Sequence, residues 1–175
     1  SALWFAPAGF NRGGLSGGQA GLSVVGVTQK LTSKQRDDLY EASINPIASF
    51  PSEGIVIFGQ KTLQVTPSAL DRINVRRLMI FLKRRISQIA NTILFDQNVQ
   101  TTWNRFTGQV GPFLESVKTG LGLTEYKVVL DNSTTTPDLI DQNVLYAKIF
   151  LKPARAIEYI AIDFNISRTG ASFDD

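Results

Sequence analysis

The sequence predicts an α/β fold of the α+β type: a mixed sheet flanked by helices, with an extended C-terminal arm. Two observations support this class. Strand-like and helix-like segments mix along the 175 residues without an internal repeat. Apolar residues make up 43% and charged residues 19%, which is enough apolar surface for one domain to bury a core of its own.

The first third of the chain contains strand-like segments at residues 3–5, 22–28 and 55–58. Residues 55–58 are uniformly apolar between two glycines, as is typical of a strand buried on both faces. Thr32 or Ser33 is placed to cap a short helix that reaches about Ala42. Six glycines between residues 9 and 21 predict a flexible loop, since neither phosphate-binding glycine motif is present.

A long amphipathic helix is predicted from Asp71 to about Phe95. Apolar residues recur on it at steps of three and four, namely Val75, Leu78, Leu82, Ile86, Ile89 and Ile93. A second helix is expected over residues 99–106. A further helical segment should end at Gly120 or Gly122.

The last third of the chain is predicted to be mostly extended. Residues 126–130 have strand character, residues 137–142 a helical turn, and residues 144–151 and 156–166 are extended runs separated by Pro153. The small, polar residues 169–175 are expected to be a flexible tail.

Composition argues against most enzyme classes. The chain has no histidine and no cysteine, so it lacks the commonest general base, the commonest metal ligand and the thiolate nucleophile. Carboxylate, Lys or Tyr chemistry stays open, but no catalytic, metal or cofactor site is expected. No apolar run can span a bilayer and no signal peptide is visible, which predicts a soluble protein that is intracellular or exported only as part of something larger. The first residues, without an initiator Met, are those expected of a fragment of a longer protein or of a processed product.

Six basic residues cluster on the predicted long helix. They are Arg72, Arg76, Arg77, Lys83, Arg84 and Arg85. A solvated helix face and an electrostatic contact with an acidic protein surface both explain them. The alternative function is a nucleic-acid-binding module that uses residues 72–85, although little aromatic interleaving accompanies the charges.

Two other groups were weighed as sites. Asp131, Asp138 and Asp141 lack the spacing of a calcium loop, so turn formation and helix capping are the preferred interpretation. Residues 156–166 carry apolar side chains in both alternating sets. They form either an internal strand of the domain's own sheet or a strand that pairs with another subunit.

Several segments resemble the contractile tail sheath proteins of myophages, R-type pyocins and, more distantly, type VI secretion systems. The similar segments, in order, are residues 3–9 (LWFAPAG), 44–47 (INPI), 54–63 (GIVIFGQKTL), 73–78 (INVRRL) and 103–106 (WNRF). Within the third segment, Phe58 stands where the family pattern has Trp. The joint order of these segments is more specific than any one of them.

The resemblance implies the role of the chain and its organisation. Residues 1–168 would be the C-terminal, tube-facing domain of a sheath subunit and residues 169–175 its flexible tail, without the N-terminal arm and the outer domains. Sheath subunits polymerise helically around an inner tube and contract to drive it through a cell envelope, as in bacteriophage genome ejection. Their terminal arms add strands to the sheets of neighbouring subunits.

The resemblance also implies partners and site residues. The expected partners are other sheath subunits, the tail tube protein, and baseplate and tail terminator proteins, in a virion tail assembled in the host bacterial cytoplasm. Neither a membrane nor nucleic acid is expected as a partner. Strand addition is assigned to Ile157, Tyr159, Ile160, Ile162, Phe164 and Ile166. The tube-facing basic helix is assigned to Arg76, Lys83, Arg84 and Arg85.

Overall fold

The computed structural model describes residues 2–16 and 23–162, and it confirms the α+β class. In chain order the elements are α1 (Ser33–Glu41), β1 (Ile47–Phe50), β2 (Gly54–Ile57), α2 (Ile73–Asn91), α3 (Gln100–Thr119), β3 (Leu123–Val129), α4 (Pro137–Asp141) and β4 (Lys148–Pro153). A short 3₁₀ turn, Ala69–Asp71, leads into α2. In the part of the chain described, no helix combines the length and apolar character needed to cross a bilayer.

The strands form two small antiparallel sheets, so the prediction of one mixed sheet is wrong for the described residues. β1 pairs with β2, and β3 pairs with β4. Between the two strands of each pair the chain reverses its direction, so the two strands run antiparallel. The two sheets are separated in the chain by α2 and α3. These helices form the main core together with residues of β3, and that core contains no residue of β1 or β2.

The buried strand predicted over residues 55–58 is present as β2, although it ends one residue early. Ile55 and Val56 are both buried, whereas Phe58 is exposed. The outer edge of β2 is covered by the glycine-rich segment: Leu15 N–H donates to the Ile55 carbonyl at 2.8 Å, and Ile57 N–H donates to the Gly13 carbonyl at 2.8 Å. An added Cβ at Gly13 would lie 2.6 Å from the Ile57 carbonyl oxygen, so this close approach requires glycine.

The main core lies between α2, α3 and the β3–β4 sheet. Leu78 and Leu82 of α2 are each 1% exposed. They belong to one cluster with five buried residues of α3: Trp103, Phe106, Val110, Leu114 and Val117. The predicted apolar stripe of α2 is therefore confirmed, with Ile86, Ile89 and Ile93 half-buried against the same cluster.

α3 is one continuous helix, where the sequence predicted two. Pro112 lies inside it and removes one backbone donor, which normally ends a helix. The buried residues of α3 nevertheless keep their spacing of three and four on both sides of this proline. Burial of that stripe outweighs the lost hydrogen bond, and Pro112 itself lies on the exposed side.

Three predicted strands are absent or shortened. Residues 3–5 form a turn, and residues 23–28 contain no strand. Within the run 144–151, only residues from Lys148 onward pair with β3. Tyr146 instead exchanges two hydrogen bonds with the buried Thr135 hydroxyl, at 3.1 and 3.2 Å. Side-chain contacts satisfy the backbone there, and the apolar pattern does not reveal them.

Trp4 fastens the N-terminal segment to the main core. Its indole N–H donates to the Gly120 carbonyl at 2.6 Å, and its ring lies 5.8 Å from the ring of Phe81. A Cβ added at Gly122 would lie 3.0 Å from Trp4 Cγ. The two glycines expected to end α3 therefore also make room for this indole ring.

We expect Trp4→Ala to lower the free energy of unfolding by about 2 to 3 kcal/mol, less than for a fully buried tryptophan because Trp4 is only partly buried. Trp4→Phe keeps most of the ring packing and loses the N–H donor, so it should cost about 1 kcal/mol. Urea unfolding of both variants measures the difference. Equal losses would show that the hydrogen bond, and not the ring packing, holds this segment.

Candidate functional site

The four basic residues assigned to the tube lie on the solvent-exposed surface of α2, here called the basic face, and they are spread around the helix because successive residues are about 100° apart. Arg76, Lys83, Arg84 and Arg85 are all exposed. Within the described part of the chain, none of the four forms a salt bridge. Arg85 donates to Gln88 Oε1 at 3.1 Å. This basic face therefore contributes little to holding the domain together.

Arg72 does not belong to the basic face. It precedes the first residue of α2 with an extended backbone, φ −116° and ψ 143°, so its side chain does not continue the helical row. The prediction that placed Arg72 on the long helix with the other basic residues was wrong because α2 begins at Ile73 rather than at Asp71. Its guanidinium instead reaches the last segment of the chain.

The segment after β4, residues 154–162, contains no helix or strand and is here called the arm. Four of the residues assigned to strand addition are exposed on it: Ile157 (82%), Tyr159 (85%), Ile160 (78%) and Ile162 (66%). Phe164 and Ile166 lie outside the described residues. Residues 156–162 do not pair with β1 to β4, so over this stretch the arm is not an internal strand.

One side chain of the arm is held by the rest of the domain. The Glu158 carboxylate accepts hydrogen bonds from Arg72 Nε at 2.6 Å, Arg72 Nη2 at 3.0 Å and the Tyr40 hydroxyl at 2.8 Å. Glu158 as a whole residue is exposed because its backbone is open, yet its side chain is only 19% exposed. The forked, charge-assisted contact fixes both the position and the orientation of the carboxylate.

The electrostatics of this contact follow from its geometry. Partial burial opposes ionisation of Glu158, but the hydrogen bonds from Arg72 and Tyr40 outweigh it, so the pKa of this carboxyl is lowered. Burial, followed by the hydrogen bond to Glu158, raises the pKa of Tyr40. The charged carboxylate and the neutral phenol are therefore the forms that the site stabilises.

The groups that hold Glu158 are themselves fixed by neighbouring segments. Asn45 binds the backbone of Lys61 through both ends of its amide, at 2.7 and 2.9 Å. Lys61 in turn forms an antiparallel bridge with Arg72, and its ammonium lies 4.1 Å from the centre of the Tyr40 ring. Asn45, Lys61 and Arg72 lie in or beside separate sequence segments that resemble sheath proteins, and the fold brings them together beneath the arm.

Residues 156–159 separate two clefts of 250 and 400 Å³. The first cleft is lined by Gln60 and the second by Asn74, each only 4% exposed. Gln60 Oε1 and Asn74 Oδ1 have no hydrogen-bond donor among the described residues. Buried acceptors of this kind are rare, and both lie beside the path of the arm.

Of the three acidic residues weighed as a site, Asp131 takes part in a turn, as the sequence predicted. Asp131 accepts hydrogen bonds from the hydroxyl and from the backbone N–H of Ser133, and these lower the pKa of its carboxyl. Asp138 lies in the first turn of α4. Within residues 2–16 and 23–162, no three acidic side chains cluster closely enough to hold a metal ion.

Comparison with known proteins agrees with this architecture. Residues 65–167 match the family described as "Phage tail sheath C-terminal domain". The matched part is more than half of the chain and includes α2, the main core and the arm. The chain belongs to this family.

The similar curated proteins are tail sheath proteins. The chain is 38% identical over 175 residues to that of Enterobacteria phage T4, and 37% identical over 173 residues to that of Vibrio phage KVP40. These matches cover 100% and 99% of this chain. The chain spans only about a quarter of the relatives' length, 26% and 25%.

Solved contractile assemblies contain the same fold. One is the contracted sheath complex of an extracellular contractile injection system, PVC, with a TM-score of 0.82 and 25% identity over 94% of this chain and 46% of that one. Another is the baseplate of the anti-feeding prophage, with a TM-score of 0.81 and 25% identity over 95% of this chain and 46% of that one. The fold of nearly the whole chain is thus shared with proteins of these two assemblies.

The contact between Glu158, Arg72 and Tyr40 was missed by the sequence analysis. Tyr40 and Arg72 are 118 and 86 residues away from Glu158, so no local spacing relates them. A weak signal was present, because Glu158 is the only charged residue between Ala156 and Ile162. A carboxylate that is partly buried with an apolar segment is stable only when a donor or a cation pairs with it, but the sequence does not identify that group.

Because the basic face makes no salt bridge in the described structure, we expect the triple variant Lys83→Glu, Arg84→Glu, Arg85→Glu to remain folded. Its free energy of unfolding should change by no more than about 0.5 kcal/mol for each position. Leu82→Ala, at a buried position of the same turn, should cost about 2 to 5 kcal/mol. Chemical denaturation compares them, and a triple variant as unstable as Leu82→Ala would give the basic face a structural role.

Proposed function

We propose that this chain is the tube-facing C-terminal domain of a contractile tail sheath subunit. The subunit polymerises helically around an inner tube and contracts to drive that tube through a cell envelope. The observation that carries the proposal is the match of nearly the whole fold, 94% of the chain, to a contracted sheath complex. The role is mechanical and requires no covalent chemistry, because two lattice packings of different free energy store the work of contraction.

The arm supports a lattice held together by added strands. Apart from Ala154, no arm residue forms a backbone hydrogen bond to another described residue. The exposed apolar side chains of Ile160 and Ile162 accompany these free backbone groups. Such a segment gains both hydrogen bonds and apolar burial when it joins the edge of another subunit's sheet.

The two small sheets also offer places for such a strand. The outer edge of β2 is already covered by the glycine-rich segment. The outer edges of β1, β3 and β4 have no backbone partner among the described residues. Open edges are sites of pairing between chains, so each subunit has edges to offer as well as an arm.

The basic face of α2 is assigned to the inner tube. Arg76, Lys83, Arg84 and Arg85 project from one rigid helix, free of salt bridges within the described structure. Such a surface recognises acidic groups on a partner protein. The alternative, nucleic-acid binding by residues 72–85, receives no support from the relatives, and Arg72 is engaged with Glu158.

The remaining assignments follow from this role. Residues 1–168 form the tube-facing domain and residues 169–175 its tail, while baseplate and tail terminator proteins bind the ends of the sheath. The sheath lies in the tail of a bacteriophage virion, is assembled in the host cytoplasm and acts in genome ejection. The family membership and the tail sheath relatives support these assignments.

Replacing Ile160 or Ile162 by Pro in the full-length subunit should block formation of hollow cylinders, as seen by negative-stain electron microscopy. Proline removes the backbone donor that strand addition requires. Ile160→Ala and Ile162→Ala are the matched controls. They keep the donor and lose only side-chain burial, so they should still assemble. Normal cylinders from both proline variants would refute strand addition at these positions.

Reversing Lys83, Arg84 and Arg85 to Glu should weaken co-assembly with the tube. The effect should be larger at low salt, where screening is weak. Sedimentation of subunit with preformed tubes measures it. The matched control is a second triple variant, which reverses three charges at exposed positions outside α2: Lys30→Glu, Lys34→Glu, Lys127→Glu. If the two triple variants bound tubes equally well, the tube contact would lie elsewhere.

A further inference from the structure

The arm is attached to the domain by one side chain rather than by its backbone. Between residues 155 and 162, the hydrogen bonds to the described body of the domain all involve the Glu158 carboxylate. The apolar neighbours on either side, Ile157 and Tyr159, are more than four-fifths exposed. Apolar packing therefore holds this stretch only weakly, and the polar contact determines where it lies.

We propose that Glu158, Arg72 and Tyr40 form a clamp that holds residues 156–159 on their own subunit, so that the arm is free to join a neighbour only from Ile160 onwards. The clamp itself is a property of the single chain. Its consequence for the neighbour rests on the proposed strand addition.

The position of the clamp makes it a suitable fixed point. Tyr40 is in α1, Arg72 immediately precedes α2, and Lys61 joins the two through its bridge to Arg72 and its bond to the Tyr40 carbonyl at 2.5 Å. Three segments thus meet at one carboxylate. An arm that starts there keeps a constant origin relative to the start of α2.

The clamp also reassigns the residues of strand addition. Ile157 and Tyr159 flank the held side chain and line both clefts, so they belong to the anchor. Ile160 and Ile162 lie beyond it. An extended chain spans at most about 3.3 to 3.6 Å per residue, so moving the origin from Pro153 to Glu158 shortens the reach of the arm by five residues.

Charge makes the clamp reversible. The Glu158 carboxylate faces Tyr40, Lys61 and Arg72. Asp71 forms a salt bridge with Arg72 at 3.3 Å. Asp37 lines the cleft on one side of the arm, and Arg155 lines the cleft on the other side. The pKa of Glu158 is lowered in the folded chain. Its contribution is therefore complete above the unfolded value of 4.5 and is lost as the pH falls through the lower folded value.

The absence of cysteine permits a direct test in the 175-residue chain. Ile160→Cys provides a single attachment point for a nitroxide spin label at an exposed position just beyond the clamp. Electron paramagnetic resonance then separates held from released arms. With Glu158→Gln, we expect the ratio of released to held arms to rise about tenfold at neutral pH, because the acceptor of the hydrogen bonds from Arg72 and Tyr40 is then neutral. Tyr40→Phe removes one of the donors and should give a smaller rise.

The mobility of the same spin label can also be measured as the pH is lowered. Lowering the pH through the folded-state pKa of Glu158, which lies below 4.5, should release the arm of the unmodified chain and leave Glu158→Gln unchanged. Glu125→Gln is the matched control, since it neutralises an ion pair with Lys152 on the β3–β4 sheet. It should keep the arm held at neutral pH.

The clamp is refuted if the label is equally mobile with and without Glu158→Gln, or if Glu125→Gln releases the arm to the same extent. That result would leave strand addition intact. Conversely, full-length Ile160→Pro and Ile162→Pro subunits that both assemble normally would refute strand addition at these positions while the label still reported a clamp. The two failures are therefore distinguishable.

Discussion

Burial of the α2 stripe against α3 is the interaction on which the rest of the structure depends. Leu78 and Leu82 pack into the same cluster as Val110 and Leu114, and each fully buried side chain of this kind contributes about 1.5 to 3 kcal/mol. This packing fixes the rotation of α2 about its axis. The basic residues consequently face outward, and α3 stays helical through Pro112 because its own stripe continues past it.

The same constraint positions the origin of the arm. Since α2 begins at Ile73, Arg72 lies at its entrance with an extended backbone and pairs with Lys61. Its guanidinium is then directed to Glu158 rather than along the helix. Arg72 therefore ties the arm to the residue that directly precedes α2, the helix that carries the exposed basic residues.

Sequence patterns predicted the elements that depend on local periodicity. The α1 cap at Thr32, the double burial of β2 and the stripe of α2 all follow from residue type and spacing. What the patterns missed depends on distant partners. Residues 3–5 have the composition of a strand but form a turn, because the Trp4 ring packs against Gly120 and Gly122 and its N–H donates to the Gly120 carbonyl. Likewise, Glu158 is an ordinary exposed acid in sequence until folding brings Arg72 and Tyr40 to it.

In the proposed lattice, each domain anchors its arm at one carboxylate and offers open strand edges to the arms of other copies. Cryo-electron microscopy of cylinders formed by the full-length subunit tests this arrangement most directly. We expect density for residues 160–166 hydrogen-bonded to a sheet edge of a neighbouring subunit, with Glu158 still bound to Arg72 of its own subunit. Density showing residues 160–166 folded back on their own domain, with no strand shared between subunits, would contradict it.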